Sequence, residues 1–220
     1  MTEDPITLIE KTGKENAKLA NETLDVAKET KKSIKAELKR AKARESLAKS
    51  ELKLAEIREN LAQKNKTLVE KKQKLRKDGI LKFKDEELKS DSSVADYNDK
   101  LAKHQQKLIK VLKKMAQKEK SIAETKKELL NRKKDAAKQR KALSKKQLSY
   151  VKLARGSAEP EKVSKAENQY VYEQKKLTKK KDKILEKDQE IKKLQNELAD
   201  LKQKHSQMLA ERQKIRPPTQ

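Results

Sequence analysis

From residue 19 onward an adjacent apolar pair returns every seven residues: Leu19-Ala20, Val26-Ala27, Leu47-Ala48, Leu54-Ala55, Leu61-Ala62 and Leu68-Val69, with Leu75 closing the run. Only Ser33-Ile34 and Arg40-Ala41 weaken it. The interval restarts in a new phase at Val94-Ala95 and passes through Leu101-Ala102, Leu108-Ile109, Met115-Ala116, Ile122-Ala123, Leu129-Leu130, Ala136-Ala137 and Leu143-Ser144 to Tyr150-Val151. A third run has Val163, Tyr170, Leu177, Ile184, Ile191 and Leu198 in one row, continued by His205 and Arg212, and Leu194, Leu201, Met208 and Ile215 in the other. A repeat of seven matches 3.5 residues per turn rather than 3.6, so such stripes stay on one face only when helices supercoil around partners. The expected fold class is all-α: an elongated antiparallel three-helix coiled coil that dimerises.

Scarce breakers place the reversals. The chain has only three glycines and four prolines, so each marks a boundary. Gly79 follows a basic last turn ending LRKD, and the stretch KDEELKSDSSVAD leads into the next helix, with Asp91, Ser92 or Ser93 expected as its N-cap. Gly156 stands where the second helix must stop, and Ser157 precedes Pro160 and Glu161 at the start of the third. The expected organisation is an N-terminal segment 1–13, one three-helix domain over 14–216 with helices at about 14–78, 93–155 and 160–216, and a tail 217–220. Each helix would be roughly 80 to 95 Å long at 1.5 Å per residue. The position completing the heptad beside the second helix's pairs holds Leu112 and Ala154 but also Glu119, Lys126, Lys133 and Arg140. A seam this thin implies apolar surface left over for a second chain, most simply in a twofold homodimer.

Composition excludes a compact globule, because 43% charged, 33% hydrophobic and 2% aromatic residues cannot fill the interior of a 220-residue domain. There is no cysteine for a disulfide framework or thiol chemistry. No apolar run approaches eighteen residues, and the start MTEDPITLIEK lacks the features of a signal peptide. The expected location is cytoplasmic, peripheral to membrane or cytoskeleton.

The charge is uneven. Formal net charge is +25, and between Leu101 and Arg155 nineteen basic residues face four acidic ones, Glu119, Glu124, Glu128 and Asp135. Within that helix Lys113, Lys120, Lys127, Lys134 and Lys141 recur every seven residues. Further clusters are Lys71, Lys72 and Lys74 with Arg76 and Lys77, and Lys175, Lys176, Lys179 and Lys180 with Lys181. A flank serving only solubility would carry compensating glutamates, as residues 182–200 do; an uncompensated excess repels itself and is better explained by a polyanionic partner. Lysine far outnumbers arginine, which suits diffuse attraction rather than bidentate recognition. Only Tyr97, Tyr150, Tyr170, Tyr172 and Phe83 could stack on bases, and the tyrosines mostly fall at or near seam positions. Sequence-specific nucleic-acid reading is therefore disfavoured, whereas non-specific binding needs only a row of cations.

Three long antiparallel helices with a basic middle helix resemble the BAR-domain superfamily of membrane-binding proteins. The detailed likeness is in KLARGSAEPEKVSKAENQY, which resembles the junction between the second and third helices of such domains. The resemblance implies a homodimer whose basic face lies on anionic membrane, with the lysines named above as lipid-binding residues. The rival reading is a structural strut or scaffold in a cytoskeletal or ciliary assembly, adhering to an acidic filament surface; a third is a non-specific nucleic-acid-binding protein. Catalysis is not expected, nor any cofactor or metal. His104 and His205 are isolated from each other, each glycine is alone, and no ligand cluster is present in the sequence.

Overall fold

A computed structural model describes residues 4–80, 82, 84–156 and 158–217. Phe83, Ser157 and Pro218 lie outside the described residues. The chain forms three helices in the order α1 (Pro5–Lys77), α2 (Asp85–Arg155) and α3 (Pro160–Lys214).

Two helix starts differ from the sequence expectation. α1 begins at Pro5 rather than near residue 14, because Asp4 is a capping residue. Its Oδ2 accepts from the Thr7 amide at 3.3 Å and the Thr7 hydroxyl at 3.2 Å. Pro5 then occupies the first helical position, where a missing N–H costs nothing. Gly13 lies within the helix and in contact with α2: a Cβ there would sit 3.3 Å from Gln147 Cβ and 3.4 Å from Leu148 Cδ2. α2 begins at Asp85, so Asp91, Ser92 and Ser93 are not its cap. The acidic first turn Asp85, Glu86 and Glu87 favours the positive end of the helix, and Ser93 Oγ bonds back to the Lys89 and Ser90 carbonyls. α1 ends as expected: Gly79 has φ +73°, its amide bonds the Arg76 carbonyl, and the Ile80 amide bonds that of Leu75. This is the double closure of a left-handed helix cap.

The chain divides into two compact units, Met1–Leu38 with Ser121–Leu194 and Lys39–Lys120 with Gln195–Gln220. In the first, Glu10 pairs with Arg155 at 2.5 Å and Glu37 with Lys126 at 2.8 Å, and Asn16 bonds Gln147 at 3.0 Å. Partner numbers fall along α2 as they rise along α1, so the helices run antiparallel. α3 runs antiparallel to α2 in the same unit, with Lys146 on Gln169, Arg132 on the Lys183 carbonyl and Lys187 on Glu128. Its apolar centres are Ala27, Ile34 and Leu130, and Ala136, Leu143 and Leu177 packed by Tyr170 and Ile184. In the second unit Arg44 meets Glu119 at 2.7 Å, Lys66 meets Asp96 at 2.9 Å and Lys72 meets Asp91 at 2.8 Å. There Lys118 joins Glu197 at 2.5 Å.

The heptad pairs have different fates on α1 and α2. On α2 both members are largely buried after Val94, which is exposed: Leu108, Ile122, Leu129, Ala136 and Leu143 in one row, Ala95, Ala102, Ala116, Ala123, Leu130, Ala137 and Val151 in the next. On α1 only the second member is. Ala20, Ala27, Ile34, Ala41, Ala48, Ala55, Ala62 and Val69 are buried, whereas Leu19, Val26, Leu47, Leu54, Leu61 and Leu68 are exposed.

Candidate polyanion-binding face

In the first unit the outer side of α2 is a stripe of lysines. Lys127, Lys138, Lys141, Lys145 and Lys152 are exposed and Lys134 half-buried, and exposed Asn131 and Ser149 complete a run with steps of three or four residues. Residues so spaced share one helical face, and the run from Lys127 to Lys152 covers about 37 Å at 1.5 Å per residue. Among the described residues none of these six lysines makes an ion pair. The acidic residues of α2 within the run are Glu128 and Asp135, and Glu128 is held by Lys187 at 2.8 Å. That contact holds the Glu128 carboxyl below the usual carboxylate range and raises the Lys187 ammonium, through hydrogen bonding first and charge second.

The row read from the sequence therefore splits. Lys127, Lys134 and Lys141 belong to the stripe. Lys113 and Lys120 lie in the second unit, where Lys113 is half-buried and Lys120 reaches Glu45 at 3.4 Å. Glu45 also accepts from Lys49 at 3.3 Å, and hydrogen bonding from Lys49, then Lys120, depresses its carboxyl despite some desolvation. Lys138, Lys145 and Lys152 share the unpaired face and lie outside the seven-residue row. The signal that finds them is the spacing of three or four, once the burial of Ala136, Ala137, Leu143 and Ser144 shows which side of α2 faces inward.

The smaller clusters divide in the same way. Lys71 and Lys74 are exposed near the end of α1, and Lys72 pairs with Asp91. On α3 Lys175 and Lys179 are exposed, Lys180 donates to the Asp135 carbonyl at 3.3 Å, and Lys176 pairs with Glu173 at 3.2 Å. The Lys176 ammonium also stands 4.2 Å from the centroid of the Tyr172 ring. Tyr172 is 59% exposed, so it departs from the seam placement expected of the tyrosines. Tyr97, Tyr150 and Tyr170 are half-buried, and the last two rings lie 5.2 Å apart.

The histidines are separate. His104 lies 2.7 Å from the Met208 carbonyl through Nε2, which therefore carries the proton and ties α2 to α3. Among the described residues no group of three or more His, Cys, Asp or Glu side chains could hold a metal ion, and no helix is long and apolar enough to cross a membrane. No protein-family model, curated protein or solved structure matches this chain.

Proposed function

We propose that this chain is a peripheral membrane-binding protein that adheres to anionic lipid headgroups through the lysine face of α2 and works by adhesion rather than catalysis. The observation that carries this reading is the run Lys127, Lys134, Lys138, Lys141, Lys145 and Lys152, with no ion pair among the described residues. Lysine near an anionic leaflet contributes about 1 kcal/mol per side chain, so six reaching it together supply roughly 6 kcal/mol at low salt. The ammonium groups are compact, mobile and strongly hydrated, which suits a fluid layer of phosphates better than the fixed geometry of a base edge. Exposed Lys175 and Lys179 beside Tyr172 add cations and an amphipathic ring suited to an interfacial layer.

The test is co-sedimentation with vesicles of graded phosphatidylserine content at two salt concentrations, beside duplex DNA and an acidic filament. The expected result is binding that rises with anionic lipid, falls with salt and is lost in K134E/K138E/K141E/K145E. Tighter binding to DNA or filament than to the most anionic vesicle, or full vesicle binding by that variant, overturns it.

A further inference from the structure

The exposed members of the α1 heptad pairs do not stand alone in the second unit. Ala43, Leu47, Ser50, Leu54, Ile57, Leu61, Lys64 and Leu68 follow one another at alternating intervals of four and three and are all exposed. Leu47, Leu54, Ile57, Leu61 and Leu68 lie between 54% and 62% exposed. Alternating fours and threes are the spacing of a coiled-coil seam. Over residues 43–68 α1 therefore carries two seams: the buried row Ala48, Ala55 and Ala62, and this second one about 38 Å long at 1.5 Å per residue.

We propose that the second seam is the contact for another copy of this chain, the two α1 stretches packing antiparallel about a twofold axis between Leu54 and Ile57. Antiparallel pairing about that axis sets Leu54 of one copy against Ile57 of the other, Ser50 against Leu61, Leu47 against Lys64 and Ala43 against Leu68. Small side chains thus oppose large ones at two layers, Leu54 and Ile57 fill the centre, and the Lys64 methylenes lie along Leu47 with the ammonium in water. The register matches charge as well. Glu51 and Arg58 flank the seam on the side where such pairs meet across an antiparallel coil, so each Glu51 faces the other copy's Arg58. The remaining rim holds Ser46, Asn60, Asn65 and Thr67 with Arg44 and Lys53, and the Arg44 charge is offset within its own chain by Glu119 at 2.7 Å. A patch that fits itself is what a twofold dimer requires, and its centre, Leu54 and Ile57, is apolar and offers nothing to a polyanion.

The inference does not rest on lipid binding, and sedimentation equilibrium of the full chain without lipid tests it. The expected species has twice the chain mass at micromolar concentration. L54E/I57E should raise the dimer dissociation constant by more than about 100-fold, two central anchors being removed, while circular dichroism stays unchanged because both positions are exposed. Direction is read separately. The chain has no cysteine, so a mixture of A43C and L68C chains should form an interchain disulfide on oxidation, while A43C alone should not. A monomer at every concentration, a dimer that persists in L54E/I57E, or self-linking of A43C would overturn the proposal. So would a chain that stays monomeric and loses vesicle binding in L54E/I57E, since the stripe would then be a lipid contact.

Discussion

Leu47 and Ala48 are neighbours in sequence and opposites in burial, 60% and 5% exposed. The smaller residue packs, which brings α1 close to its neighbours, and the larger one is left outside. The same inversion holds at Leu54-Ala55 and Leu61-Ala62.

Enlarging the small member should therefore be costly. A55L puts three extra carbons into a site 1% exposed and is expected to destabilise the chain by about 1–3 kcal/mol. L54A should change the stability of the dilute chain by less than about 0.5 kcal/mol. Chemical denaturation at low protein concentration separates the two.

The cap of α1 gives a second test. Gly79 holds φ +73°, and a Cβ placed on it would meet nothing within 4 Å, so the cost of a side chain there is backbone strain rather than a clash. G79A should lower stability by about 1 kcal/mol and G79N by less, because asparagine tolerates the left-handed region. Thermal unfolding of both variants checks the order.

Acid should loosen contacts within and between the helices. The carboxyls of Glu10, Glu45, Asp96 and Glu128 are all held below their ordinary values, chiefly by hydrogen bonds from Lys14, Lys49, Lys66 and Lys187 respectively. A carboxyl depressed in the folded state contributes stability that is present above its unfolded value, about 4, and is lost as pH falls through the folded value. The unfolding temperature should therefore fall below about pH 4.5. It should fall less steeply in E45Q/E128Q, and less steeply again in high salt.

Binding and stability should move in opposite directions on the lysine face. Lys134, Lys138, Lys141 and Lys145 are like charges three and four residues apart, each such pair costing about 0.2–0.5 kcal/mol. K138Q/K145Q should unfold at a temperature equal to or above that of the parent at low salt while binding anionic vesicles more weakly. A lysine kept for folding alone would lower the melting temperature instead.

Much of the architecture was legible in the sequence. The heptad interval called for helices, Gly79 and Pro160 marked reversals, and Arg155 ended α2 where expected. The early starts at Pro5 and Asp85 were not anticipated, since the apolar repeat has not begun there and local capping by Asp4 and an acidic first turn extend the helices beyond the packed seam. Half of the lysine face was legible, as a seven-residue row. Lys138, Lys145 and Lys152 were not, because a seven-residue interval finds one row of a face and cannot say which adjacent row faces the same way.

Sequence alone determined that this chain is helical and that its apolar side chains return at the interval of a supercoil, because that interval depends only on the 3.6-residue turn and where oily groups recur. Tertiary structure decided which member of each pair is buried. α2 buries or half-buries both members of every pair after Val94-Ala95 while α1 buries one, and periodicity cannot distinguish them, since it is a property of one helix and burial depends on how many neighbours that helix has. The unpaired lysines of α2 and the second apolar seam of α1 both follow from that difference.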